Sequence, residues 1–506
     1  MGARRPNVLL IVADQMKASA SPLYGGPAGT TPALERLAAH GTTFDRAITP
    51  SPLCVPARVA LLSGRWPHAT GARRNETPMP AGTRHAFRVW KEAGFHTALI
   101  GKDHCFAEPD DLVLFDVRCP LDHDGPPEHD PPVGMAWPKS DAEIAAAHAP
   151  RRAMPRQAPA ISYRVSDVDP EATGTGLVAA QTERWLEERA ADARPFAAWV
   201  SFPDPHTPYE VPRPWAETVP PESIELPPIE APDDPALPER NRVLRRILDV
   251  GSAGEEERRR LAAVYQAMVR FVDHGVGRIL DALDRTGLRK DTIVVFTSDH
   301  GDFAGEHGMT RKGGVFYDCL IRVPLIVSWP GRVPEGAREP SPVNLVDLTP
   351  TLLRLQGLPV PAGMQGQPLP TVTDAPPREA TVSEYGAGGP PCTLADMDRL
   401  PAAHGLEASK ATLRWREAEG RRKAVRTRRY TYVTDPMGDL DELYDHETDP
   451  HELRNLAHDP AHADVVRTMR EHLLAWSLRS EDAVPVPLPE AAPDLGAFGS
   501  EGGSSA

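Results

Sequence analysis

A chain of 506 residues exceeds one ordinary domain, and its 56 Lys plus Arg against 71 Asp plus Glu leave a formal net charge of -15, with no basic block able to grip a phosphate backbone. Nucleic acid is therefore not an expected partner, and an anionic substrate needs a local cationic pocket or a metal, because the overall field repels it. The five cysteines, Cys54, Cys105, Cys119, Cys319 and Cys392, are odd in number, widely spread and without a C-x-x-C pair, which argues against a disulfide framework and a zinc-thiolate site.

Residues 7–12 form a short apolar run that Ala13, Asp14 and Gln15 interrupt. It is too short for the apolar region of a signal peptide or for a membrane span, and no later segment is long enough either, so a cytoplasmic enzyme without a membrane partner is expected. Further apolar runs at 97–100, 196–202, 292–296 and 323–327, with helical stretches between them, predict an α/β fold whose mainly parallel sheet carries helices on both faces. One helix is predicted over 32–40, with Thr31 as N-cap, Pro32 at the first position and Gly41 past the end. Another is predicted over 256–282, its stripe made by Leu261, Val264, Met268, Val272 and Val276.

The stretch 119–159 is rich in Pro, Asp, His and Ala without periodicity and reads as an insertion or lid. Its histidines, His123, His129 and His148, are expected to be solvated loop residues, not a second metal site. These features divide the chain into a catalytic domain at 1–376 and a smaller α+β subdomain at 377–484. The subdomain holds a strand at 381–385, a hairpin at 423–433 and a helix at 461–478. The Gly- and Ser-rich tail at 485–506 is expected to be disordered.

In open parallel sheets ligands bind beyond the carboxyl ends of the strands. Asp14 and Gln15 follow the first run, Lys102, Asp103 and His104 the second, Asp204 and His206 the third, and Ser298, Asp299 and His300 the fourth. Each pair alone reads first as a cap of its strand or helix. Together Asp14, Gln15, Asp299 and His300 offer oxygen donors and one imidazole to a hard or borderline divalent cation, with Gly301 allowing close backbone approach to a ligand. In Ser51-Pro52-Leu53-Cys54-Val55-Pro56-Ala57-Arg58, Pro56 opens a helix and leaves Cys54 at or near its N-terminus, where free amides favour an anion. Arg58, a turn along, can point back at the same place.

The spacing Cys54, Pro56, Arg58, then Ser63, Gly64 and Arg65, resembles the signature of the type I sulfatases, in the alkaline-phosphatase-like superfamily. The resemblance extends to the opening Asn-Val-Leu-Leu-Ile-Val-Ala-Asp, Gly101-Lys102-Asp103-His104, Pro205-His206-Thr207-Pro208, the block 297–312, and Glu442-Leu443-Tyr444-Asp445 with Asp449-Pro450. It implies a sulfuric ester hydrolase acting on a small sulfate ester, its Cys54 oxidised to formylglycine by a formylglycine-generating enzyme. By the same resemblance Asp14, Gln15, Cys54, Asp299 and His300 hold the metal, and a geminal diol at position 54 attacks sulfur. His104 takes the proton whose loss expels sulfate, Arg58 and Lys102 hold the diol, and Lys312 and His206 bind sulfate and protonate the leaving alkoxide. Asn75 lies in a loop that meets the substrate in related enzymes, while Asp302, Glu306 and His307 shape the loop after the metal block. The resemblance implies calcium at the metal site; where many sulfatases have two aspartates, this chain has Asp14-Gln15, one negative charge fewer, which loosens a strict calcium preference and leaves manganese as the alternative. The rival activities are phosphonate monoester or phosphodiester hydrolysis with the same nucleophile, and a catalytically inactive binding protein.

Overall fold

The first apolar run becomes β1 (Asn7–Ala13), buried along its whole length at the centre of a nine-stranded sheet in the computed structural model. The structure describes residues 5–154, 161–229, 231, 234–251, 253–399 and 419–481; the expected tail at 485–506 lies outside them. The other strands in chain order are β2 (Thr42–Ile48), β3 (His96–Gly101), β4 (Val117–Pro120), β5 (Tyr163–Ser166), β6 (Phe196–Phe202), β7 (Tyr209–Pro212), β8 (Thr292–Ser298), β9 (Arg322–Val323) and β10 (Leu325–Ser328). They continue with β11 (Ala337–Asn344), β12 (Thr381–Tyr385), β13 (Arg422–Arg426), β14 (Tyr430–Thr434) and β15 (Glu442–Asp445).

The main sheet runs β11-β2-β10-β8-β1-β6-β3-β4, with β9 paired to β2. The block from β8 to β4 is parallel throughout, and β10 runs antiparallel to both β8 and β2. The run at 323–327 is therefore two short strands, not one. Pro324 separates them because proline has no N–H for a ladder, and its carbonyl instead accepts from Thr297 Oγ1 at 2.9 Å.

Side-chain alternation sends Leu9, Ile11 and Ala13 to one face of the sheet and Val8, Leu10 and Val12 to the other. The first face packs on helices Pro32–Ala39, Gly174–Arg189 and Glu255–Arg285, whose Leu261, Val264, Met268, Val272 and Val276 are all buried. The second packs on Cys54–Ser63, Ala86–Glu92 and Leu348–Leu355. Thr31 does not cap its helix with its side chain. Its hydroxyl bonds Ser21 at 2.6 Å, and the amides of Ala33 and Leu34 donate to the carboxylate of Asp273 on the long helix, each at 2.9 Å.

β12 to β15 make a separate antiparallel sheet in that order. Val466, Met469 and Trp476 of helix Ala463–Ser480 pack on it and on Trp66, just past helix Cys54–Ser63. The insertion is more ordered than its composition suggested, because Ser140 and Glu143 form a reciprocal capping box that starts helix Asp141–Arg152. Among the described residues no helix is long and apolar enough to cross a membrane.

Candidate active site

Four adjacent parallel strands, β8, β1, β6 and β3, end at the same edge of the sheet, and each hands over to polar residues there. β1 leads to Asp14 and Gln15, the latter held at φ 69°, a backbone region that non-glycine residues seldom occupy. β8 leads to Asp299 and His300, β3 to Lys102, and β6 to Asp204 and His206. Cys54 arrives from the opposite layer as the first residue of helix Cys54–Ser63, which Gly64 ends in the left-handed conformation. That first turn has no side-chain cap from Leu53; instead the amide of Val55 donates to Asn75 Oδ1 at 3.2 Å, so Asn75 stands beside Cys54.

Cys54 Sγ lies 3.1 Å from His300 Nε2 and 3.8 Å from Asp14 Oδ1. One donor atom each from Asp14, Cys54, Asp299 and His300, all buried, fall within 4.8 Å of one another. His300 Nδ1 lies 2.9 Å from the Gly301 carbonyl and donates to it, which leaves the Nε2 lone pair facing the group. Asp299 Oδ1 accepts from the amides of Gln15 and His300, at 3.0 and 2.9 Å, and its Oδ2 from Arg58 Nε at 2.8 Å. Two carboxylates, an imidazole and the Gln15 amide suit a hard or borderline divalent cation.

Arg58 is fully buried and donates to the Lys102 carbonyl and to Ser201 Oγ. Burial opposes its charge, but Asp299 and Asp14 outweigh it and hold the guanidinium more firmly protonated than usual. Its Nη2 has no hydrogen-bond partner among the described residues and stands 3.5 Å from Asp14 Oδ2. A buried guanidinium with a free N–H beside Cys54 is what an anionic group at that position would use.

Two lysines flank the cysteine. Lys102 Nζ donates to Asp14 Oδ2 and is buried. Lys312 Nζ donates to Gln15 Oε1 at 2.7 Å and lies 2.9 Å from His206 Nε2. His104, at φ 56° on the loop after β3, reaches the Cys54 sulfur from the solvent side. Burial pushes the Cys54 thiol up, yet Lys312, Lys102, His300 and the His104 hydrogen bond together pull it well below its ordinary value. Burial and Lys312 keep the His206 imidazole neutral, down to about 3. The site residues anticipated from the sequence, Asp14, Gln15, Cys54, Arg58, Asn75, Lys102, His104, His206, Asp299, His300 and Lys312, thus share one locale.

Other placements differ from expectation. His123 is not a solvated loop residue: its Nε2 lies 2.6 Å from Lys102 Nζ and its ring stacks on His206 at 3.9 Å. His148 is buried and bonds the Ile144 carbonyl, while His129 is exposed as expected. Arg151, in the same insertion, donates to Asp204 Oδ1 at 2.6 Å and to the His206 carbonyl at 2.7 Å. The signal that would have found His123 is its position three residues after β4, the strand-end rule applied to a strand too short to recognise. Gly301 is required by packing, not by a ligand, since a Cβ there would sit 1.9 Å from the Cys319 carbonyl oxygen.

Asp302 does more than shape its loop. It accepts from Gln15 Nε2, from the Tyr209 hydroxyl and from the amides of Ala304 and Arg311, which turns Gln15 Oε1 toward Lys312 and the site. Glu306 pairs with Lys17 at 2.6 Å and His307 stacks on Tyr317. Trp66 and His68 pack against Trp476.

With this geometry in hand, comparison places the chain among known proteins. The family model described as Sulfatase matches residues 6–358. A choline-sulfatase of Rhizobium meliloti is 30% identical over 96% of this chain and 89% of its own. Among solved structures, a 2-O GAG sulfatase superposes with a TM-score of 0.69 at 25% identity, over 95% of this chain and 93% of that one. A phosphonate monoester hydrolase of Agrobacterium radiobacter superposes with a TM-score of 0.71 at 26% identity, over 94% and 96%.

Proposed function

This chain belongs to the sulfatase family and is a sulfuric ester hydrolase; on that premise we propose that its nucleophile is a formylglycine made from Cys54, working beside a divalent cation. The observation that carries the reading is the position of Cys54 Sγ at a helix N-terminus, 3.1 Å from His300 Nε2, within a group completed by Asp14 and Asp299.

A hydrated formylglycine at position 54 supplies one oxygen to attack sulfur and a second through which sulfate is released. Asp14, Gln15, Asp299 and His300 would hold a divalent cation, calcium with manganese as the alternative, which would supply Lewis acidity at this site. The residues around them do the rest. Arg58 offers its free Nη2 N–H and Lys102 its ammonium to the side chain at 54 and the incoming sulfate. His104, within hydrogen-bond reach of position 54, takes the proton lost there. His206 donates from Nδ1 to the Thr207 carbonyl at 2.5 Å, so its Nε2 receives from Lys312, and this pair delivers the proton to the departing alkoxide. Because Cys54 is buried in the folded chain, the formylglycine-generating enzyme that acts as partner must meet this stretch before it folds.

A second reading, hydrolysis of phosphonate monoesters or phosphodiesters, is favoured by the superposition on a phosphonate monoester hydrolase. The resemblance of Gly101-Lys102-Asp103-His104 to the sulfatase version of that segment supports sulfate over phosphorus esters. The test is to produce the protein with a formylglycine-generating enzyme, weigh the tryptic peptide 47–58, and compare rates on matched aryl sulfate, phosphonate and phosphodiester. An aldehyde at position 54 with sulfate turned over fastest is expected; an unmodified thiol in active protein removes the nucleophile, and a clear preference for phosphorus moves the assignment to the second reading.

A further inference from the structure

We propose that His123 is a positioning residue of the sulfate-binding wall, accepting a hydrogen bond from Lys102 while its ring backs that of His206. The inference rests on the sulfatase reading above and deepens it. An ammonium has three donors and no acceptor, so His123 Nε2, 2.6 Å from Lys102 Nζ, must present its lone pair. A second Lys102 N–H goes to Asp14 Oδ2, which leaves a single N–H, with its direction fixed, for a ligand. Lys312 and His206 form a matching pair across the site, Nζ to Nε2 at 2.9 Å. The two histidines lie face to face, 3.9 Å between centroids and 18° between planes. Each cation is thus tethered by an imidazole, and each imidazole by the other.

The fold invests in this arrangement. His123 sits in a tight turn in which Asp122 and Gly125 exchange backbone hydrogen bonds, and Gly125 adopts φ 106°, open to glycine. A Cβ at Gly125 would press on the ring of buried His148, so the helix Asp141–Arg152 supports the turn from below. Asp14, His123 and His206 could also be read as a metal-binding trio. The Lys102 ammonium already bonds both Asp14 and His123, so the cation these two residues share is the lysine's own, and His123 is read as its acceptor.

The test compares wild-type converted enzyme with His123→Ala, His123→Gln and His123→Phe, measuring kcat and KM on an aryl sulfate and the inhibition constant of inorganic sulfate. Losing a hydrogen bond to a charged group predicts that His123→Ala lowers kcat/KM by about 10- to 100-fold and weakens sulfate inhibition in parallel. His123→Gln, which keeps an acceptor, should recover about tenfold of that loss, and His123→Phe, which keeps only the stack, should not. His123→Ala within twofold of wild type on both measures, or recovery by Phe equal to that by Gln, overturns the proposal. Wild-type enzyme that cleaves phosphonate but neither cleaves nor is inhibited by sulfate overturns the sulfatase reading itself, an outcome the variants cannot mimic.

Discussion

Cys54 Sγ and His300 Nε2 stand 3.1 Å apart, the cysteine from a helix on one side of the sheet and the histidine from the end of β8 in its middle. Cys54→Ala removes the nucleophile but only one buried sulfur from the core. Turnover should fall at least about 1000-fold, as expected for loss of a covalent nucleophile. Stability should change by only about 1 kcal/mol, the cost of so small a cavity. Initial rates and urea unfolding of the same preparation check both, and activity surviving near the wild-type level would end the covalent mechanism.

Asp273 gives a pH dependence far from the chemistry. Burial pushes its carboxyl up to about 7, against the opposing pull of the Ala33 and Leu34 amides. The folded pKa is above the unfolded one, so between about pH 4 and 7 the unfolded chain has released a proton that the folded chain keeps, and stability falls as pH rises through that window. Asp273→Asn abolishes this titration. Between pH 5 and 7 the wild type should lose roughly 2 kcal/mol more than the variant in urea unfolding. Parallel curves for the two proteins would contradict the argument.

How far these features were legible in the sequence depends on their reach. Strand ends carrying Asp14, Lys102, His206 and Asp299 stood out because apolar runs and their polar terminations are local. That β8, β1, β6 and β3 lie side by side was not written in any one of them; it follows from crossover connections the sequence does not order. The Cys54 turn was legible through the spacing of Pro56 and Arg58. Thr31 looked like a cap on local grounds, yet Asp273, some 240 residues away, took the amides. His123 was hidden because β4 has four residues and sits among prolines and aspartates, where no periodicity can show.

Asp302 fixes the orientation of the Gln15 amide by accepting from its Nε2. Asp302→Asn presents a donor where an acceptor is needed, which favours turning the Gln15 amide so that its NH2 faces the metal side and Lys312. Orienting groups behind a ligand are worth about 10- to 100-fold in metal affinity. Calcium and manganese titrations followed by intrinsic fluorescence should show a loss of that size, with chelator-stripped wild type regaining activity at lower metal concentration than the variant. Unchanged affinity would mean that Gln15 holds its orientation without Asp302.

Arg151 joins the insertion to the site by binding the Asp204 carboxylate and the His206 carbonyl at once, and both side chains of the ion pair are buried. Asp204 has a second donor in Thr175 Oγ1 at 2.6 Å, but without the guanidinium its charge is left buried and only partly satisfied. Breaking a buried pair by removing one partner costs about 3 to 5 kcal/mol, so Arg151→Met should lower the unfolding midpoint markedly. The guanidinium spans two acceptors that a single ammonium cannot reach together. Arg151→Lys should therefore regain much of the stability through Asp204 while leaving the His206 loop untethered, with kcat reduced about tenfold, the scale for displacing a group that moves a proton. Full recovery of both stability and kcat in the lysine variant would show that the ion pair alone matters and that the bond to the His206 carbonyl does nothing for the reaction.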